Sequence, residues 1–372
     1  GFAPFTIESA IMYGYALDVA KTGKLPDVDP HLKGMEGLSL ARQMTLGLEY
    51  FLGYGYRWFG PWLGYHGKTR GAYEDDTDFA DWARLQTRMW TSLGPALVFL
   101  FLIVLRCPWW IALFGGLLHA VAPGAIARHA GVVLVRGQFG LPFILATFVA
   151  FYWYLGRPRL YKLAAIALAA LAALAVWDMA QICFGIWALS EIVRIALGGG
   201  ANQKRGKAWA AVFAGGALAA VLIPYHWEHA LWLSPTFFAA IPAVFVIHFA
   251  CRRTSGWKRI AALFACFIGL LIVWKLVAGF GGFGGNYGHF GSLMKAKLLF
   301  FNSKPLDPDQ APTLFGMTIG QPMDFDARIL WTPAMHSATW TIFWSFFPAM
   351  VFGLAALVAC FAPFKVFRRS MW

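Results

Sequence analysis

Long apolar stretches alternate with short polar connections over most of the chain. The apolar stretches cover residues 90–105, 110–127, 139–154, 160–177, 179–196, 208–224, 235–251, 260–278 and 341–362. A bilayer offers no water to the backbone, so an apolar stretch of roughly 20 residues indicates a membrane-spanning helix. The pattern therefore predicts an all-α polytopic membrane protein with nine spans.

The charged residues are distributed unevenly among the connections. Alternate connections and the C-terminal tail are basic and free of acidic residues, with Arg106, Arg157, Arg159, Lys162, Lys204, Arg205, Lys207, Arg252, Arg253, Lys258, Arg259, Lys365, Arg368 and Arg369. Cytoplasmic connections of membrane proteins are enriched in Lys and Arg. We therefore expect a multi-pass protein of the plasma (inner) membrane with its large loops on the non-cytoplasmic side.

Glu191 is the exception, because every other acidic residue then lies outside the membrane or at its outer boundary. Arg194 follows Glu191 by three positions, and residues at that spacing share one face of a helix. A charge in lipid is costly unless it is paired. The spacing therefore favours a structural ion pair over an ion pathway.

The same pattern divides the chain into four parts. Residues 1–88 form a first outer loop with interfacial helices, residues 89–278 a transmembrane helix bundle, residues 279–339 a long outer loop, and residues 340–372 a last helix with a basic cytoplasmic tail. Within the first part, residues 44–59 are rich in aromatic and aliphatic side chains, which is typical of a helix lying along the membrane interface. The chain starts at Gly1 without a Met, and we expect a further span before it.

Composition narrows the classes of partner. A net charge of +13 is compatible with nucleic-acid binding, but the cations lie between apolar stretches, so membrane lipids are the expected partner and nucleic acid is not. The five cysteines have no paired spacing and are expected to be small core- or lipid-facing residues. No metal and no cofactor is predicted.

Two motifs resemble a known family. Residues 122–131 read APGAIARHAG; they run into a polar corner (residues 128–138), which a long aromatic-rich stretch follows. Residues 8–18 read ESAIMYGYALD. Both segments resemble the catalytic subunit of oligosaccharyltransferases, which belong to the C-type (GT-C) membrane glycosyltransferases. The resemblance implies a GT-C-like transmembrane helix bundle with large outer loops. It also implies transfer of a sugar from a polyprenyl-phosphate-linked donor on the outer face of the membrane.

The resemblance assigns the catalytic role to Glu8. In the family an essential acidic residue stands at the end of the first span, and Glu8 occupies the matching position. A carboxylate there can take a proton from the acceptor. Without the resemblance, Glu8 is equally compatible with a solvated helix-cap residue.

The acids that bind a metal in the family are missing. Val135-Arg136-Gly137-Gln138 stands where the family has two carboxylates, and Thr318-Ile319-Gly320-Gln321 resembles a Thr-Ile-x-Glu motif with Gln321 in place of the acid. The family's soluble C-terminal domain is also missing from the sequence. An arginine would repel a cation at the metal position. The chemistry is therefore expected to be metal-independent.

Cationic side chains could replace the metal on the leaving phosphate. Arg136 is the first candidate, because a guanidinium matches phosphate oxygens bidentately, and Lys295 and Arg328 are further candidates in the long loop. The substrate-lining candidates are Trp177, Asp178, Gln138, Gln321 and His336. Each cation is also compatible with a surface position near lipid headgroups.

Three functions remain open from the sequence. The first is a glycosyltransferase with Glu8 and Arg136 facing one lipid-accessible hollow. The second is a catalytically inactive relative that serves as a structural or lipid-binding subunit, with other membrane protein subunits as partners. The third, a transporter, is disfavoured because no inverted repeat is visible.

Overall fold

The computed structural model describes residues 7–29, 38–65, 77–121, 134–196 and 200–250, parts of 261–276, and residues 313–314 and 317–322. The chain divides into two units, Gly1–Gly281 with Arg369–Trp372, and Gly282–Arg368. The predicted span 341–362 lies outside the described residues, as do Lys295, Arg328 and His336.

The described part of the first unit is mostly helical, as the sequence predicts. Its α-helices are α1 (Ile7–Thr22), α2 (Leu40–Gln43), α3 (Gly47–Phe59), α4 (Thr77–Val104), α5 (Trp109–Val121), α6 (Arg136–Gly156), α7 (Leu160–Val176), α8 (Ala180–Ala196), α9 (Gln203–Leu222), α10 (Pro224–Glu228) and α11 (Ile241–Ala250). Short 3₁₀ helices span Pro61–Leu63 and Leu231–Leu233, and a π-helix spans Pro235–Ala240. Strand β1 (Val28–Asp29) pairs antiparallel with β2 (Leu38–Ser39).

The described part of the second unit is one hairpin. Strand β3 (Thr313–Leu314) pairs antiparallel with β4 (Met317–Pro322), and Thr313 stands opposite Thr318. The motif 318–321 therefore lies on a strand.

Two described helices are long and apolar enough to cross a membrane, Asp78–Val104 and Arg136–Gly156. Shorter apolar helices cover Trp109–Val121, Leu160–Val176 and Pro235–Phe249. The first predicted span starts earlier than expected, because α4 already begins at Thr77. Its first turns bury Phe79, Ala80, Trp82 and Ala83 and expose Asp81. These turns are amphipathic, so their charged residues interrupt the apolar pattern although the segment is helical.

Small and aromatic side chains form the core of the bundle. The alanine-rich helix α7 packs closely on α9, where a Cβ added to Gly215 would lie 2.5 Å from the carbonyl oxygen of Ala167. Small side chains allow two helix backbones to approach this closely. Aromatic rings fill another part of the core, where the ring of Trp187 lies 4.6 Å from Phe151 and 4.4 Å from Trp209.

Helices α1 and α3 pack together on the first half of α4. The indole nitrogen of Trp82 donates to the carbonyl oxygen of Leu52 at 3.1 Å. Helix α3 is amphipathic: it buries Leu48 and Leu52 and exposes Trp58 and Phe59. This surface fits the interfacial helix expected for residues 44–59.

Three basic connections lie at one end of the bundle, which we call the basic end (residues 105–108, 157–162, 194–196 and 200–207). The ring of Phe101, near the end of α4, lies 5.5 Å from Tyr152, near the end of α6. The guanidinium of Arg205 lies 5.7 Å from the same Tyr152 ring. These contacts bring together the ends of α4 and α6 and the start of α9. These three described connections therefore meet at the same end.

Candidate functional site

The opposite end of the bundle holds several of the predicted site residues, and we call it the site end. It is formed by the starts of α1, α3 and α6 and by the end of α7. The hydroxyl of Thr45, just before α3, lies 3.3 Å from the carbonyl oxygen of Val176. A Cβ added to Gly140 of α6 would lie 2.6 Å from Cβ of Trp177. Both contacts bring the end of α7 next to the starts of α3 and α6.

The first turn of α1 lies beside the start of α6. The backbone nitrogen of Leu134 donates to the hydroxyl of Ser9 at 2.9 Å, and both residues are buried. Ser9 follows Glu8 directly, and Leu134 stands two positions before Arg136. The structure thus brings the backbone at Glu8 and at Arg136 to the same end of the bundle; the side chain of Glu8 lies outside the described part.

Arg136 has an acidic partner that the sequence did not suggest. Its Nη2 donates to Oε1 of Glu49 at 2.6 Å, and the side chains are 16% and 0% exposed. Burial raises the pKa of the Glu49 carboxyl, and the nearby guanidinium opposes that rise. The sequence signal that could have identified Glu49 is its position between Leu48 and Leu52, on the apolar face of an amphipathic helix.

The buried pair retains unused hydrogen-bonding capacity. In the part of the chain that the structure describes, neither Oε2 of Glu49 nor Nε of Arg136 has a hydrogen-bond partner. The pair is therefore held by one hydrogen bond rather than by the bidentate arrangement that arginine and a carboxylate can form.

The other described candidates of the first unit, Gln138 and Asp178, lie at the site end as well. Gln138 is buried in the first turn of α6. Asp178 accepts a hydrogen bond from the Tyr225 hydroxyl at 3.2 Å, which links the turn after α7 to α10. Gln321 lies on β4 in the second unit, and its side chain lies outside the described part.

Two histidines lie in and just after α10, and each has a ring nitrogen close to a backbone carbonyl oxygen. Nε2 of buried His226 lies 2.9 Å from the carbonyl oxygen of Leu174, so that nitrogen carries the proton and donates. Burial lowers the pKa of His226. Nδ1 of His229 lies 2.8 Å from the carbonyl oxygen of Tyr225. Among the described residues, no group of three or more His, Cys, Asp or Glu side chains is arranged to hold a metal ion.

No protein-family model matches the chain, and no curated protein matches it either. The similarity to oligosaccharyltransferases therefore stays a prediction that rests on the motifs at residues 8–18 and 122–131.

Proposed function

We propose that this protein is an integral-membrane glycosyltransferase of the GT-C type, which transfers a sugar from a polyprenyl-phosphate-linked donor at the site end without a metal. The observation that carries the proposal is the hydrogen bond between Ser9 and Leu134, because it joins the segment of the proposed base to the segment of the proposed phosphate ligand. Trp177 and Asp178 lie at the same end.

The roles follow from the chemistry of glycosyl transfer. Glu8 takes the proton of the acceptor hydroxyl or amide as the bond to the sugar carbon forms. The bond between that carbon and the donor phosphate oxygen breaks, and the lipid phosphate leaves as an anion. Positive charge from Arg136 stabilises the departing phosphate. Only Nη2 of Arg136 is engaged by Glu49, so Glu49 acts as a positioning residue that fixes the guanidinium.

The membrane location is part of the proposal. The apolar helices Asp78–Val104 and Arg136–Gly156 support it, and so does the meeting of alternate basic connections at one end. With the basic end on the cytoplasmic side, the site end and the layer of α1 and α3 face outward. A polyprenyl-linked donor would then reach the site from the outer leaflet.

The test is the substitution Glu8→Gln in purified protein supplied with a panel of polyprenyl-monophosphate sugars. Membrane extract supplies the acceptor, and release of polyprenyl phosphate is measured. This measurement does not require the acceptor to be identified. We expect the variant to lose at least about 100-fold in rate, since it keeps the shape of the side chain but has no base. Melting temperature checks that the protein stays folded.

Asp81→Asn is the matched control. It removes one acidic charge from an exposed pair with Arg84, so its activity should equal that of the wild type. Undiminished release by the Glu8 variant, or no release by the wild type from any donor, would contradict the proposal.

A second candidate function is a catalytically inactive relative that serves as a structural or lipid-binding subunit. The observation that favours it is the neutralisation of Arg136 by buried Glu49, which weakens the attraction for a phosphate. This function predicts copurification with other membrane proteins in a fixed ratio, with no donor lipid retained in native mass spectrometry. A retained polyprenyl-phosphate sugar would argue against it.

A further inference from the structure

A second buried charge cluster lies at the basic end, away from the proposed catalytic site. Glu191 of α8 is its centre. Arg194 donates from Nη2 to Oε1 at 2.8 Å, Arg205 of α9 donates from Nη1 to Oε2 at 2.9 Å, and Nε2 of His248 in α11 lies 3.0 Å from Oε1. The predicted pair of Glu191 and Arg194 is confirmed, and three helices meet at one carboxylate.

The hydrogen bonds define the proton on His248. The backbone nitrogen of Asn202 donates to Nδ1 of His248 at 3.0 Å, so Nδ1 must accept. Nε2 therefore carries the proton and donates to Glu191. His248 is then neutral, and the cluster combines two guanidinium groups with one carboxylate. One positive charge remains uncompensated by these contacts.

The described surroundings supply no second anion. Among the described residues, Nη1 of Arg194 has no hydrogen-bond partner. Lys204 and Lys207 are exposed in the first turns of α9 and add positive charge. The sequence that follows α11, residues 251–260, contains four basic residues and no acidic one. A confined charge without a counter-ion is costly, so an external anion would stabilise this arrangement.

We propose that this cluster is a binding site for a phosphate group, carried by an anionic lipid or free in solution. Arg194 is its most accessible member, with 14% of its side chain exposed, against 9% for Arg205 and 4% for Glu191. Nε and Nη2 of Arg194 both donate to Glu191, so Nη1 is the donor of Arg194 that is left for a phosphate oxygen. The exposed amines of Lys204 and Lys207 add long-range attraction. The start of α9 contributes the positive end of a helix dipole.

The experiment measures lipid retention on protein reconstituted with equal amounts of phosphatidylglycerol and phosphatidylcholine. Native mass spectrometry counts the bound lipids of each kind. The wild type should retain phosphatidylglycerol selectively. Arg194→Gln leaves Glu191 paired with Arg205 and His248, makes the cluster neutral, and should abolish the selectivity.

A second variant changes only exposed side chains, so its lipid retention can be measured without disturbing the buried cluster. The double substitution Lys204→Ala and Lys207→Ala should lower phosphatidylglycerol retention roughly 10- to 30-fold. The matched control is Lys21→Ala with Lys24→Ala, which removes two exposed cations at and just after the end of α1, and it should leave retention unchanged.

A second arm separates the two sources of phosphate. Inorganic phosphate is added to the detergent-solubilised protein, with sodium chloride at equal ionic strength as reference. A rise in melting temperature in the wild type, absent in the Arg194 variant, identifies free phosphate as a ligand; lipid selectivity without that rise identifies the lipid. The proposal is overturned if neither is observed, or if the control pair loses as much lipid as the Lys204 and Lys207 pair.

Discussion

At the scale of single residues, two ion pairs near α3, α4 and α6 differ in their exposure to water. Glu49 and Arg136 are 0% and 16% exposed, whereas Asp81 and Arg84 are 64% and 38% exposed. Water screens the exposed pair, so it contributes little to stability. Removing one partner of the confined pair leaves an uncompensated charge away from water, which is far more costly.

We therefore expect Glu49→Gln and Arg136→Gln each to lower the free energy of unfolding by about 3–5 kcal/mol. Combining the two should cost less than their sum, since neither charge then remains alone. Asp81→Asn is the control and should cost about 0–1 kcal/mol. Denaturation of the purified variants measures these values, and equal losses for the confined and the exposed pair would contradict the assignment.

Sequence reasoning located Arg136 but could not find its partner. A cation at the start of an apolar stretch is visible in the sequence, and so is the spacing of Glu191 and Arg194 on one helix. The pair of Glu49 and Arg136 spans 87 positions and depends on how α3 packs against α6. The contacts of His248 and Arg205 with Glu191 were not predicted for the same reason, because each of the three residues belongs to a different helix.

At the scale of elements, helix contacts depend on positions without a side chain. Gly215 of α9 faces the backbone of α7, and Gly216 faces the ring of Phe237, which a Cβ would overlap. Gly14 of α1, in contrast, has no atom within 4 Å of an added Cβ. The same substitution should therefore have opposite effects at Gly215 and at Gly14.

Gly215→Ala is expected to lower the free energy of unfolding by about 1–3 kcal/mol, because the methyl group would press on the Ala167 carbonyl and force α7 and α9 apart. Gly14→Ala should raise it by about 0.5–1 kcal/mol, since alanine restricts the unfolded chain and favours a helix. Melting curves of both variants decide the matter. A stabilised Gly215 variant would contradict the packing of the two helices.

Apolar length predicted most of the described elements, and amphipathic segments were harder to predict. The stretches 139–154, 160–177, 179–196 and 208–224 coincide with α6 to α9. The early start of α4 and the π-helix at Pro235–Ala240 were missed, because charged residues interrupt the first and the second departs from regular α-helical geometry. The hydrophobic pattern alone carries no information about such local geometry.

At the scale of the first unit, the two ends differ in charge. The basic end collects Arg106, Arg157, Arg159 and the arginines around Glu191, whereas at the site end Arg136 is paired with Glu49 and Asp178 adds an acid. The sequence alternation predicts this separation, and the helix contacts agree with it. A bilayer between the two ends would explain both the apolar lateral surface, where Leu168, Val221 and Leu222 are exposed, and the charge asymmetry.

Cysteine labelling from one side of the membrane tests this account most directly. The five native cysteines are replaced by serine, and a single cysteine is introduced at Lys24, in the layer of α1 and α3, or at Lys207, at the basic end. Intact cells are treated with a membrane-impermeant maleimide before and after permeabilisation. The account predicts that Lys24→Cys is labelled in intact cells and Lys207→Cys only after permeabilisation. Equal labelling of both positions in intact cells, or recovery of the protein in the soluble fraction, would contradict it.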